Sequence, residues 1–452
     1  MTAVQTLIEE AREEWLSGNR AAGGALFVKA MEAAPDDLAP HIALADVATL
    51  SADFKIAEEA YRGAARLKDD DPYLLSKHAS ILVSLGQFDA AREQLEKAIS
   101  QDKENSLAYF ILTRIHKATE NDPVIDQLEK IKSDATRSIG DIGYAEFALA
   151  KFYDDIGEYD KAFVCLTDAN ARVPVKYDHI GTRNHFSKLE QTFTPELFTQ
   201  YSESGEPTKK PVFVLGMPRS GTSLVEDRLA QYENVEGLGE LSAMTMAIEQ
   251  IRPLPNGESF PGSLCQLNEQ SYRALGRYYM NRIDDYMVER NPASFTIDKN
   301  PLNFLRIGLI RLILPEATII HTRRDPRDVC LSILQQAFEP QTYPFSYSLD
   351  NIGDFYGIYD RLMKMWESLL PATVTNVDYT DLVADVDGTV GNLANTIGVS
   401  EKRSDNEERI IHTASAWQAR QPVYSSSLGK WKSYEKHLGP LTEKLEKAGV
   451  QL

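Results

Sequence analysis

Long apolar runs are missing from this sequence. No stretch approaches the roughly 18 consecutive apolar residues of a membrane-spanning helix, so no membrane span is expected. Cysteine is scarce as well. Cys165, Cys265 and Cys330 are widely separated and make no paired motif; buried free thiols in a reducing cytoplasm are the reading. Positive charge is in deficit: 48 Lys and Arg face 67 Asp and Glu, a net charge of −19. Residues 1–210 carry −12 (24 basic, 36 acidic) and residues 211–452 carry −7 (24 basic, 31 acidic). No broad basic face for nucleic acid is visible, though a single cleft can still be basic. The opening MTAVQTLIEEAREEWLSGNR has neither the basic leader nor the apolar centre of a signal peptide. His, Cys and Asp nowhere cluster at ligand spacing, so no metal is expected. What is present, 43% hydrophobic and 25% charged residues over 452 positions, suits a globular chain of about two to three domains.

The first part repeats. Phe54/Phe88, Ala57/Ala91, Tyr61/Leu95 and Ala64/Ala98 are each 34 residues apart. Phe27 and Ala30 fill the Tyr61 and Ala64 slots one step earlier. Gly157, Tyr159, Ala162, Leu166 and Ala169 repeat the pattern 71 residues after the third copy, leaving room for a degenerate copy around DPVIDQLEKIKS. Alanine lets antiparallel helices approach, and the larger residue fills the adjoining groove. No single hairpin buries its apolar face, so the copies must stack. The pattern resembles tetratricopeptide repeats over about residues 5–172. That resemblance implies a groove for a peptide or protein, or a scaffold that supports the second domain or a homodimer. Residues 173–210 lose the period and are expected to connect the two parts with a helix or two.

From residue 211 strands alternate with helices. Strands are expected at 211–216, near 294–298, at 317–324 and at 372–379, and helices at 220–231, 301–314, from 325 and around 349–370. This pattern implies a parallel sheet with helices on both faces, which binds ligands at the strands' carboxyl ends. PVFVLGMPRSGTS almost spells the ATP phosphate loop. Gly216 and Gly221 have the spacing and Ser223 the final hydroxyl, but Thr222 stands where the lysine belongs. Backbone N–H groups at such a strand-to-helix junction surround an anion. A second anion site is read in TRRDPRDVCLS, from Arg324 at a strand end and Ser332 in the next helix. A nucleotide with a 5′ anion and a 3′-phosphate would use both.

PRSGTS, then Glu240 in GLGEL 21 residues after Arg219, then DKNP and RRDPRDVCLS, together resemble the sulfotransferases over about residues 211–440. The likeness is to protein-tyrosine sulfotransferases and to bacterial proteins that join tetratricopeptide repeats to such a domain. It implies an α-helical repeat solenoid (1–172), a connecting segment (173–210) and an α/β P-loop-like sulfotransferase domain with a parallel sheet (211–452). The implied co-substrate is 3′-phosphoadenosine-5′-phosphosulfate (PAPS). Residue by residue, the 5′-phosphosulfate loop falls on Arg219, Ser220, Gly221, Thr222 and Ser223, the base on Glu240, and a lysine near the transferring group on Lys299. The 3′-phosphate contacts fall on Arg324 and Ser332, a nucleotide contact on Tyr379, and the C-terminal nucleotide segment on Ser415 to Lys430. The tyrosyl family's further arginine is Gln336 here, with Arg323 or Arg420 as candidates to replace it.

The chemistry follows from these roles. A neutral phenol, pKa about 10, is a poor nucleophile, so Glu240 would take its proton. Lys299, Arg219 and the loop amides would stabilise charge on the departing 5′-phosphate oxygen. Asp298 is either a loop cap or a partner for Lys299, and His321 a satisfied structural histidine. Tyr424 and Trp417 either stack on adenine or pack internally. Two further readings stay open: a P-loop kinase-like phosphotransferase, and a catalytically silent repeat protein. The acceptor, whether protein tyrosine, small phenol, lipid or sugar, is not legible.

Overall fold

The computed structural model describes residues 2–51, 53–287, 292–402 and 427–452. They form two compact units, one ending at Val173 and one beginning at Pro174.

The first unit is a run of helical hairpins: Ala3–Leu16 with Arg20–Ala33, Ala39–Leu50 with Phe54–Leu67, Pro72–Leu85 with Phe88–Gln101, Ser106–Leu112 with Pro123–Ser133, and Ile139–Asp155 with Tyr159–Ala171. The repeat positions explain the packing. Phe27, Ala30, Ala57, Tyr61, Ala64, Ala91, Leu95, Ala98, Ala162, Leu166 and Ala169 are all buried. Pro72 and Pro123 open their helices behind Asp71 and Asp122, whose carboxylates accept backbone N–H bonds, and Gly86 closes one with φ 80°. The degenerate copy is the fourth hairpin, whose first helix is cut to seven residues.

The second unit opens on the helices His179–Thr192 and Pro195–Gln200. Its core is a five-stranded parallel sheet in the order β2-β3-β1-β4-β5. The strands are β1 (Pro211–Gly216), β2 (Val235–Gly237), β3 (Phe295–Lys299), β4 (Thr318–Arg323) and β5 (Val374–Asp378). Every residue of β1 is buried, as expected of a central strand covered on both faces. On one face Val212, Val214, Ile297 and Ile320 meet Val225 and Leu229 of the helix Thr222–Leu229, and Val390, Leu393 and Ile397 of Val386–Ile397. On the other, Phe213 lies 5.6 Å from the ring of Tyr279 in the helix Glu269–Met287.

Two expectations are corrected. The sequence pattern predicts four strands, and β2 makes a fifth; three residues reading Val-Glu-Gly carry no alternation to detect. The single helix expected over 301–314 is a 3-10 turn, Pro301–Arg306, followed by an α-helix, Ile307–Ile313. The break falls at Arg306 (φ −119°, ψ 3°), whose guanidinium donates to Asn303 Oδ1 and Thr245 Oγ1. Among the described residues no helix is long and apolar enough to cross a membrane.

Candidate active site

Each of the five strands delivers a candidate residue at its carboxyl end. In sheet order these are Glu240 just past β2, Lys299 ending β3, the loop 216–223 after β1, Arg324 after β4 and Tyr379 after β5. Neighbouring strands lie about 4.8 Å apart, so the five stand in a row across one edge.

The central loop is shaped by its glycines. Gly216 has φ 145°, and a Cβ there would meet the Thr322 carbonyl oxygen at 2.6 Å. Gly221 has φ 111°, and its Cβ would meet Tyr379 Cδ2 at 2.6 Å, so the β5 tyrosine packs directly on the loop. Gly221 caps the helix Thr222–Leu229 without a side-chain bond, and Thr222 and Ser223 are buried in its first turn. Ser220 Oγ donates to the Met217 carbonyl at 2.7 Å and pairs with Thr322 Oγ1 at 2.6 Å, so this hydroxyl ties the loop to β4. Arg219 (φ 72°) donates from Nε to Ser332 Oγ at 3.0 Å. It therefore reaches towards the β4 side of the loop, joining two residues that the sequence reading assigned to separate phosphates.

On the β3 side, Lys299 is fully buried and its Nζ donates to Glu240 Oε1 at 2.6 Å, with the Glu240 side chain 36% exposed. Backbone bonds hold this pair in register. Leu238 N donates to the Ile297 carbonyl, Lys299 N to the Gly239 carbonyl, and Gly239 N to Glu226 Oε1 at 2.7 Å. Tyr343, invisible to sequence reasoning, lies beside Glu240; burial, then the Glu240 charge, pushes its hydroxyl well above the usual tyrosine range.

Asp298 neither caps the loop nor pairs with Lys299. It accepts from Tyr279 Oη at 3.0 Å and Asn303 Nδ2 at 3.2 Å. Burial pushes its carboxyl up to about 7, against the opposing effect of the Tyr279 hydrogen bond. The folded state thus holds this proton more tightly than the unfolded chain. The resulting stability is complete below the ordinary aspartate range and is lost as pH rises through about 7. Asp298→Asn should flatten the decline in Tm between about pH 4 and pH 7. An unchanged slope in the variant would exclude Asp298 as its source. His321 is a satisfied structural histidine: Nδ1 meets Asn376 Oδ1 at 2.7 Å, Nε2 meets the Tyr359 hydroxyl, and burial lowers it to about 4.

On the β4 side, Arg324 is nearly buried. Its Nη1 donates to the Arg219 carbonyl at 3.3 Å, its Nη2 donates to the Ser427 carbonyl, and Asp328 lies 3.7 Å away. Its Cζ sits 4.8 Å from the centroid of the Tyr379 ring. Its Nε is buried with no hydrogen-bond partner among the described residues. Asp328, which the sequence offers only as an alternative partner for Arg324, also accepts from Gly429 N at 2.7 Å and Trp431 N at 2.9 Å. It thereby brings the segment beginning at Ser427 to Arg324, and Tyr379 Oη reaches Ser427 Oγ at 3.3 Å. Lys430 stands in this segment with Nζ 5.9 Å from the Tyr434 ring centroid. Arg323 pairs with Asp378 at 2.8 Å on the surface, away from Arg324's contacts. Ser415, Trp417, Arg420 and Tyr424 lie outside the described residues.

The row of side chains sets a carboxylate and a buried lysine beside the glycine-shaped loop, with the buried Arg324 one strand beyond that loop. Residues 211–403 match the sulfotransferase family. A protein of unassigned function from Aquifex aeolicus is 30% identical over 394 residues, 84% of this chain and 51% of that one. The chain thus spans about half the length of the curated relative it matches. Among solved structures, the sulfotransferase domain of the Synechococcus PCC 7002 olefin synthase is similar at 17% identity, covering 56% of this chain and 98% of that one, with a TM-score of 0.36. A Mycobacterium tuberculosis sulfotransferase is similar at 17% identity, covering 73% and 99%, with a TM-score of 0.31. The second unit is accordingly called the sulfotransferase-like domain below.

Proposed function

We propose that the sulfotransferase-like domain moves a sulfuryl group from PAPS to an acceptor hydroxyl, a peptide or protein tyrosine being the preferred acceptor. The observation that carries this reading is the buried Arg324 Nε, without a hydrogen-bond partner among the described residues and one strand from the glycine-shaped loop. A buried guanidinium N–H without an acceptor is a site for an anionic oxygen. A loop alone suits many phosphates; a loop and a second cationic pocket suit a nucleotide charged at both 5′ and 3′ positions.

When bound, PAPS supplies the sulfuryl group and the departing 5′-phosphate. The loop amides of 220–223 hold the 5′ end. Arg324 and Ser332 hold the 3′-phosphate, and Arg219, through its bond to Ser332, supplies charge on the same side. Tyr379 packs against both subsites, and the segment at Lys430 closes over Arg324. Lys299 stabilises charge on the transferring group, and Glu240 takes the acceptor's proton. For Glu240 to act, Lys299 must shift from its carboxylate towards the donor; one ion pair therefore couples base and electrostatic stabiliser. No metal has a part in this scheme. Cys165 and Cys330 are buried free thiols as expected, whereas Cys265 is exposed; three free thiols support a reducing, cytoplasmic setting.

Incubating the full chain with sulfur-labelled PAPS and a panel of tyrosine peptides, phenols, sugars and lipids tests the reading. Label transfer to tyrosine peptides is the expected result. Transfer to another hydroxyl class keeps the chemistry and overturns the acceptor; phosphate transfer from ATP instead overturns both.

A further inference from the structure

Glu240 has a second neighbour besides Lys299. Lys299 Nζ reaches Glu240 Oε1 at 2.6 Å from the end of β3. The Tyr343 hydroxyl faces the same carboxyl from the segment between the helices Pro326–Leu334 and Leu349–Leu369. That segment is fastened to itself. Tyr343 N donates to the Glu339 carbonyl at 3.0 Å. The Tyr343 carbonyl accepts from Ser346 N at 3.0 Å and Ser346 Oγ at 2.8 Å, and Tyr347 Oη donates to the Phe338 carbonyl. The Tyr343 ring is buried with Phe338 at 4.7 Å and Phe345 at 6.2 Å, and Phe345 stacks on Phe355 at 3.8 Å. A ring packed in this way has little freedom in its two side-chain torsions, so the hydroxyl keeps its place.

A carboxylate offers about four lone-pair positions on two oxygens, and the torsion that turns it is broad. Glu240 stands in the loop past β2 with its side chain 36% exposed, so that loop alone does not fix the carboxyl plane. Donors on two separate elements do. In the transfer scheme Lys299 is the donor that moves, because it follows the charge on the nucleotide. Tyr343 is the donor that stays. The charges facing its hydroxyl are Glu240 and Arg306. Arg306 is itself tied to Asn303 Oδ1 and Thr245 Oγ1, each at 2.9 Å. Burial, then the Glu240 charge, keeps the phenol protonated, so it donates and does not compete for the acceptor's proton. We infer that Tyr343 is a positioning residue: its hydroxyl donates to the Glu240 carboxylate and holds it in place while Glu240 takes the acceptor's proton. The inference rests on the sulfuryl-transfer reading. In that step the acceptor's O–H bond breaks and its proton passes to Glu240. The acceptor oxygen bonds to sulfur, and PAP (3′-phosphoadenosine-5′-phosphate) leaves with the electron pair of the broken sulfur–oxygen bond. Tyr343 keeps its own proton throughout.

A double-mutant cycle with Glu240→Gln tests it, using the full chain, sulfur-labelled PAPS and the same panel of tyrosine peptides, phenols, sugars and lipids. Tyr343→Phe should lower kcat about tenfold, with KM for the acceptor and Kd for PAP within about twofold of wild type. The ring keeps its packing, so the fold should hold. In the Glu240→Gln background no base remains to be positioned, and the same substitution should change kcat by less than about twofold. Tyr347→Phe is the structural control. It cuts the segment's tie to Phe338, and any loss it causes should be equal with and without Glu240. An inactive wild type would overturn the sulfuryl-transfer reading and this inference with it. With an active wild type the reading stands, and three results would then overturn the inference alone: an unchanged kcat in Tyr343→Phe, a loss confined to KM, or a loss of equal size in both backgrounds.

Discussion

Glu240→Gln should lower turnover by about 10²–10⁴-fold while leaving affinity for 3′-phosphoadenosine-5′-phosphate (PAP) nearly unchanged. The carboxylate's contacts are Lys299 Nζ at 2.6 Å and the Tyr343 side chain, not the loop or Arg324. Glutamine keeps the shape and can still accept from the lysine, but it cannot take a proton from the acceptor. Lys299 is fully buried, so the variant leaves an ammonium facing a neutral amide. A modest fall in Tm is therefore expected alongside the kinetic loss. Lys299→Met separates the two effects. It removes the buried charge, so the fold should hold, yet it removes the group that stabilises the transferring oxygens and should also reduce turnover severely. Because one ion pair links the residues, the double variant should lose much less than the sum of the single losses. Full activity in Glu240→Gln would remove Glu240 from the base role.

Arg324→Met should raise the Kd for PAP by about 10²-fold or more and abolish the preference for PAP over adenosine 5′-phosphate. The second readout matters more, because it isolates the 3′-phosphate. A variant that weakened both nucleotides equally would show damage to the loop rather than loss of a 3′ contact. The fold should survive, because Asp328 retains the N–H groups of Gly429 and Trp431 as donors and Tyr379 retains an apolar neighbour.

The second prediction also addresses Gln336, where the tyrosyl-sulfotransferase pattern has an arginine. Arg323 is committed to Asp378 on the surface. Arg219, bonded to Ser332 at 3.0 Å, is already on the correct side of the loop. The contact joins residues 113 positions apart. No local pattern in the sequence reveals it.

That contrast separates what was legible from what was not. β1 was readable because a strand covered on both faces must be continuously apolar. The Asp325-Pro326 pair marked a helix start because the Asp carboxylate accepts the Arg327 N–H and Pro has no N–H left to satisfy. The 34-residue spacing was readable because alanine recurs wherever two helices touch. The loop, Lys299, Arg324 and Tyr379 could be named because each stands at the end of an expected strand, and Glu240 only because the motif order resembles the sulfotransferases. What escaped depends on contacts across the fold. β2 is three residues long. Arg306, where the helix breaks, bonds Thr245, 61 positions earlier. Asp328 reads in the sequence as no more than a neighbour for Arg324, yet it also holds the backbone of a segment about a hundred positions later. Asp298 found Tyr279 rather than its neighbour Lys299.

Calorimetry of the full chain with PAP, adenosine 5′-phosphate and ATP·Mg²⁺ tests the account most directly. It predicts clear heat with PAP, binding weaker by about 10²-fold or more for the nucleotide lacking the 3′-phosphate, and no advantage for ATP·Mg²⁺. Tight binding of ATP·Mg²⁺ with no response to PAP would contradict it.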